Sequence, residues 1–328
     1  MARVLITGGA GFVGSHTAKE MAENGHEVWV LDAFYHYIQP PVEQTYVTNI
    51  NYRFKQLLTE TTVLRGNTQN KDHLRRQLLE VQPEYIIHFA ALPLANMAIE
   101  YSEEAFNTIV GGTVNLLEVI RDTDFLKRFV YISSSMVYGD FETFPVPEDA
   151  KKEPKDIYGG MKLSGEYMTK VYSQRYNIPY TIIRPSAIYG PTDNNKRVVG
   201  LFLSSAANGE KISAKNAENT FLDFSYVEDV AEGVRLACLA DSAENETFNL
   251  TRGRGRSLQE LIDAIKSLYP QTEVEYKEGN SFRPSRGALD ISKAQKLLGY
   301  EPKIELEEGL KKYSEFLEKF CIKSEESQ

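Results

Sequence analysis

A glycine-rich turn held between a strand and a helix constrains this chain more than any other feature. Val4-Leu5-Ile6 is a short apolar run that reads as a buried parallel strand. Thr7-Gly8-Gly9-Ala10-Gly11-Phe12-Val13-Gly14 follows and opens a helical stretch, from about Gly11 to Asn24, that Gly25 closes. Glycines here permit a tight turn and the close approach of a pyrophosphate, which rests on the helix N-terminus. Gly8, Gly11, Phe12, Val13 and Gly14 are thus candidate cofactor contacts. Val28-Trp29-Val30-Leu31 reads as a second strand and ends in Asp32, 18 residues after Gly14. A carboxylate at that place accepts from a free ribose 2′-hydroxyl and repels a 2′-phosphate, so the cofactor read from the sequence is NAD rather than NADP.

Further strands read at Thr62–Leu64, Tyr85–His88, Phe129–Ile132 and Tyr180–Ile183, each separated from the next by a helix-length segment. Such alternation marks an α/β fold, a Rossmann-like doubly wound parallel sheet. Ala33 to Glu60 is longer than a simple connection needs. It reads as an extended connection with a helical piece around Asn49–Leu58; the alternative is a flap over the adenosine. Two long helices, Ile99 to about Arg121 and one capped by Asp156 that runs to about Tyr176, are apolar on more than one face. One face covers the sheet, and the other is free to pair with a second subunit. From about Asn194 the segments are shorter and mixed. The expected division is a dinucleotide-binding domain over residues 1–190, a smaller lobe mainly for substrate over 191–323, and a frayed tail at 324–328.

Composition excludes several partners. The formal net charge is −9, which argues against nucleic acid or an anionic membrane. Two cysteines, Cys238 and Cys321, make no disulfide framework. The first apolar run stops at Thr7-Gly8, and no 18-residue apolar stretch follows. A cytoplasmic protein is expected.

The chemistry is carried by Tyr158-Gly-Gly-Met-Lys162, where Tyr158 lies 24 positions after Ser134 of Ser133-Ser134-Ser135. Residues four apart on a helix stack on one face, with Cβ atoms about 5–6 Å apart. An ammonium at that distance stabilises a phenolate, so Lys162 is expected to lower the Tyr158 pKa. A serine hydroxyl beside them could donate to an oxygen gaining charge. This is a proton-transfer set for alcohol–ketone chemistry, with Tyr158 as base.

Together these motifs resemble the extended short-chain dehydrogenase/reductase family, specifically its nucleotide-sugar epimerases and dehydratases. The resemblance runs from Met1 to about Phe320 and includes His88-Phe89-Ala90-Ala91, Ser133-Ser134-Ser135-Met136-Val137-Tyr138-Gly139, Arg184-Pro-Ser-Ala-Ile-Tyr-Gly-Pro191 and Leu298-Gly-Tyr-Glu-Pro302. It implies interleaved lobes, a homodimer formed through helices 99–121 and 157–176, and a nucleotide-diphosphate sugar as substrate. Ser134 would hold the sugar oxygen, with Ser135 the runner-up. Lys162 would also bind the nicotinamide ribose, and His88 and Tyr138 would be packing residues. Asn67, Thr68, Ala90 and Ala91 join the cofactor contacts, with Asn67 standing where the family often has an aspartate for adenine. Ser135, Ser186, Arg197 and Arg283 become substrate contacts, Arg283 first among them for the diphosphate. Lys196, Arg252, Arg254, Arg256 and Arg286 are further cations. Two expected sugar-nucleotide contacts are absent: the family's asparagine is Ala187, and its arginine is Leu222. The implied function is NAD-dependent 4-epimerisation through a transient 4-keto sugar and bound NADH. A 4-dehydrogenase, 4-ketoreductase or 4,6-dehydratase is the alternative, and a non-catalytic NAD sensor the minor one. Dehydratases keep an Asp-Glu pair where Ser135 and Met136 stand, and decarboxylases a glutamate at Met136, so neither diversion of the ketone is provided for.

Overall fold

The computed structural model describes residues 1–35, 44–92, 95–195, 197–278 and 284–322. Seven parallel strands form its central sheet: β1 Arg3–Thr7, β2 Glu27–Asp32, β3 Thr62–Arg65, β4 Tyr85–His88, β5 Arg128–Ile132, β6 Tyr180–Pro185 and β7 Glu246–Leu250. Their order is β7-β6-β5-β4-β1-β2-β3, and every pairing is parallel. The order reverses direction between β1 and β4, which leaves a crevice beyond their carboxyl ends.

Alternation along the strands divides two apolar layers. Val4, Ile6, Val30, Ile87 and Ile183 pack with Ala18 and Met21 of helix Phe12–Glu23 and with Val230 and Val234 of helix Val227–Leu239. Leu5, Leu31, Ile86, Phe129 and Ile182 face the opposite layer, where Leu74, Leu78, Leu116 and Ile120 cover them. A separate apolar core is built on Phe202, Leu203, Leu222, Leu261, Ile265 and Leu310.

The six strands read from the sequence are present with their ends moved by a residue or two. β7 was not among them. The chain leaves the sheet after β6, builds much of the smaller lobe, and returns through helix Val227–Leu239 to lay β7 against β6. Helix Ile157–Tyr176 begins as expected, with Asp156 Oδ1 accepting from Gly159 N at 2.7 Å. The other long helix is not continuous. It is split into Ala95–Glu100, Ser102–Phe106, a π-turn at Asn107–Gly111 and Gly112–Ile120. The helical piece in the long connection starts earlier than expected, as Gln44–Tyr52 followed by a π-turn over Arg53–Leu57. Residues 36–43 and 324–328 lie outside the described residues, as do Lys196 and Arg283.

Candidate active site

The crevice is floored by the glycine turn. Gly8 has φ +69°, and a Cβ there would lie 2.7 Å from Ala90 N, so the β1 and β4 loops touch backbone to backbone. A Cβ on Gly14 would lie 2.4 Å from Gly8 O, which closes the turn onto the helix. Gly11 caps that helix without a side chain, and no acid occupies its first turn, where Phe12 and Val13 present their N–H groups. This end of the helix suits an anion.

Asp32 ends β2 with its carboxylate turned back to the turn. Oδ2 accepts from Ala10 N at 3.0 Å and Oδ1 from Phe34 N at 2.8 Å. Burial raises its pKa against these two bonds. Beneath the turn lies a residue that the sequence did not single out, Arg53. Its Nη1 donates to Ala10 O at 3.0 Å and its Nη2 to Thr192 O. Burial pushes its pKa down to about 10. Only its place after an apolar-sided helical piece could have hinted at it. Asn67 Oδ1 accepts from Gln69 N at 2.9 Å while its Nδ2 donates to Tyr35 at 3.3 Å. Thr68 is buried, and its carbonyl accepts from Asn115 Nδ2 at 3.0 Å.

From Ala90 the site continues without a gap. Ala91 packs in a small apolar cluster with Leu92, Ile109, Met161 and Tyr158. One turn on from Tyr158, Lys162 is buried, and its Nζ donates to Ile132 O at 2.8 Å. The ammonium stands 5.8 Å from the centre of the Tyr158 ring and 5.5 Å from that of Tyr131. Ser134 is half-buried, caps a short turn by accepting from Met136 N at 3.2 Å, and is followed by Ser135, whose Oγ donates to Ser186 at 3.2 Å. A Cβ on Gly159 would meet Met136 O at 2.6 Å, so the start of the helix lies directly on this turn.

The electrostatics correct one expectation. Burial raises the Tyr158 pKa to about 12, eased by Arg197, and lowers that of Lys162 to about 7 against the pull of Glu166. In the ligand-free protein desolvation of both groups thus outweighs any help that Lys162 gives the phenolate, and the ammonium also donates to Ile132 O. His88 and Tyr138 stand among packing groups. Thr113 donates to Ile109 O at 2.5 Å and lies 3.1 Å from His88 Nε2, while Thr7 lies 2.7 Å from Nδ1. Thr113 therefore accepts from Nε2–H and Thr7 donates to Nδ1.

The cations sort into two groups. Arg197 faces the crevice, ion-paired to Asp193 at 2.7 Å with its guanidinium 5.7 Å from the Phe12 ring. Arg286 Nη1 lies 3.4 Å from Met136 Sδ, beside the serine turn. Arg252, Arg254 and Arg256 instead pair with Glu305, Glu307 and Glu260 of the smaller lobe. Sequence reasoning could not place these acids, since Glu305 and Glu307 lie some fifty residues further on.

Known proteins resemble this chain in sequence and fold. The profile of the NAD dependent epimerase/dehydratase family matches residues 4–251. A putative UDP-glucose 4-epimerase of Methanocaldococcus jannaschii is 31% identical, over 94% of this chain and 96% of that one. UDP-glucose 4-epimerase of Thermotoga maritima, solved with UDP-glucose, superposes with a TM-score of 0.85 at 29% identity, covering 96% and 98% of the two chains. UDP-glucuronic acid 4-epimerase of Bacillus cereus, solved with UDP-glucuronic acid and NAD, gives 0.86 at 26%, covering 96% and 99%. With its glycine turn, its Tyr158–Lys162 helix and its serine turn meeting at one crevice, the chain belongs to the NAD-dependent epimerase/dehydratase family.

Proposed function

We propose that the protein inverts C4 of a nucleotide-diphosphate sugar, with NAD held on the glycine turn. The observation that carries this reading is Met136. It lies beside Ser134 at the place where elimination or decarboxylation would need an ionisable side chain, and a thioether exchanges no proton. When bound, NAD supplies a hydride acceptor and a fixed positive charge. Gly8, Gly11, Phe12, Val13 and Gly14 would hold its pyrophosphate, Asp32 its adenosine ribose, Asn67 and Thr68 its adenine side, and Ala90 and Ala91 would flank the approach to Tyr158. Lys162 would hydrogen-bond the nicotinamide ribose.

Tyr158 takes the proton from the C4 hydroxyl, and Ser134 donates to that oxygen as it gains charge. Added positive charge lowers the phenol's pKa from its ligand-free value of about 12. The C4 hydride, taken up by bound NAD and later given back, would return to the other face of the turned sugar. With Tyr158 returning the proton to the C4 oxygen, this would invert C4 and leave NAD unchanged; Met136 offers no group that could divert the ketone. Ser135, Ser186, Arg197 and Arg283 bind the rest of the substrate. We place the enzyme in the cytoplasm, consistent with its two free thiols, and as a homodimer. No helix among the described residues is long and apolar enough to cross a membrane.

UDP-glucose and UDP-glucuronate are the first substrates to test. Product NMR should show an axial–equatorial change at C4 with C6 oxygenation retained, and no added coenzyme should be consumed. Tyr158→Phe should lower turnover by about 10²–10⁴-fold with NAD affinity nearly unchanged. A 6-deoxy-4-keto product, a released pentose or stoichiometric reduction of added NAD would overturn the reading.

A further inference from the structure

The helix face that carries Tyr158 and Lys162 carries a third ionisable residue one turn on, Glu166. Glu166 is 2% exposed and its partner Arg184, on β6, 1%. Arg184 grips the carboxylate with two bonds, Nε to Oε1 at 2.8 Å and Nη2 to Oε2 at 2.7 Å. Ser133 Oγ adds a third at 2.5 Å. On its far side Arg184 Nη1 donates to the Tyr138 hydroxyl at 2.9 Å and to Glu148 O at 2.8 Å.

A buried ion pair is seldom more stabilising than two apolar residues of the same volume. Arg184 shares with Ile182 the face of β6 on which an apolar residue would pack. Stability alone therefore does not account for the pair, and its contacts lead to the active site. Three consecutive residues at the end of β5 each serve it differently. Ile132 O receives Lys162 Nζ, Ser133 bonds Glu166, and Ser134 presents the hydroxyl assigned above.

We propose that Glu166, braced by Arg184, is a positioning residue for proton transfer: it fixes Ser133, and through it Ser134, and it stabilises the ammonium of Lys162. This rests on the assignment of Tyr158 and Lys162 as the proton-transfer pair. Around Lys162 stand Tyr158 and Glu166 from its own helix, the Tyr131 ring from β5, and His88 from β4, which burial and Lys162 keep neutral. Arg184, from β6, holds the far side of the Glu166 carboxylate. Glu166 is the carboxylate among them. Removing its charge makes protonation of Lys162 less favourable, so the Lys162 pKa falls.

The test uses Glu166→Gln and the double variant Glu166→Gln/Arg184→Met. The single change leaves a buried unpaired guanidinium and should destabilise the fold; the double change removes that penalty. Two readouts follow: turnover of UDP-glucose and UDP-glucuronate by the holoenzyme against pH, and NMR titration of the Lys162 Cε signal in ¹³C-lysine protein without nucleotide. The Lys162 midpoint should drop by about 1 pH unit in the single variant. It should drop less, in the same direction, in the double, where an opposing positive charge is also gone. Turnover should fall about tenfold or more in both, and the limb of the pH profile set by Lys162 should move to lower pH. A double variant that regains stability, keeps the parent Lys162 midpoint and turns over normally would reduce the pair to a staple. Should Glu166→Gln fail to fold, the double variant carries the same test. Near-normal turnover in Tyr158→Phe would overturn the base assignment instead and leave the Lys162 titration standing.

Discussion

Lys162 is a basic group whose pKa the fold lowers from 10.5 to about 7. Between those values the unfolded chain binds the additional proton, so Lys162 contributes stability that grows as pH rises from about 7 toward 10.5. Below about pH 7 its burial as an ammonium works against the fold. Lys162→Met should therefore be most stabilising relative to the parent at or below pH 7, with the gap closing by about pH 10. Denaturant midpoints across that range would show it, and a gap independent of pH would contradict it. The same buried amine shows how far single residues were readable. Tyr158 and Lys162 stand out by their spacing on one helix face, whereas the choice of Ser134 over Ser135 comes with the family resemblance. Glu166 sits at the same spacing but needs Arg184 from another strand to acquire meaning. Arg53 reaches Ala10 and Thr192 across 43 and 139 positions, and no local pattern encodes such a reach.

At the scale of elements, the helical run over residues 95–120 is interrupted at Tyr101 and widens into a π-turn at Asn107–Gly111. A Cβ on Gly112 would lie 2.5 Å from the Thr68 hydroxyl, so the run comes unusually close to the loop after β3 at that point. Apolar periodicity there is genuine, and it predicted a helix; it could not register a one-residue insertion that leaves the apolar faces nearly in phase. The outer faces of this run and of helix Ile157–Tyr176 expose Ile99, Phe106, Tyr167, Met168 and Val171, with Phe106 53% and Val171 55% accessible. Side chains of that kind on two adjacent helices fit a second copy of the same surface. Light scattering should give twice the mass of the 37.2 kDa chain, and Val171→Glu with Phe106→Glu should yield a folded monomer. A monomeric parent would remove the proposed interface. β7 went unread for a different reason. Glu246–Leu250 holds one acid, one threonine, one asparagine and only two apolar residues, too little pattern to stand out after a stretch of short mixed segments.

For the whole molecule, acid is the weak side. His16 and His88 are buried with pKa values lowered to about 4 and about 3. Each stabilises the folded chain fully above its unfolded value of 6.5 and loses that contribution as pH falls toward its folded value. Urea midpoints should decline from pH 7 to pH 4.5, and His88→Gln should flatten the decline. A profile flat over that range in the parent would refute this. The return of the chain to the sheet has a consequence for synthesis. β6 is complete at Pro185, yet the strand that covers its outer edge begins at Glu246. On a ribosome adding about 5–20 residues per second, the roughly sixty residues between them take on the order of 3–12 s to make. During that interval a strand built around Ile182 and Ile183 offers the unpaired N–H and C=O groups of its outer edge to any neighbour. The nascent chain thus passes through a sticky adolescence that the finished enzyme conceals, and crowded polysomes, rather than the mature fold, are where this protein is most exposed to aggregation.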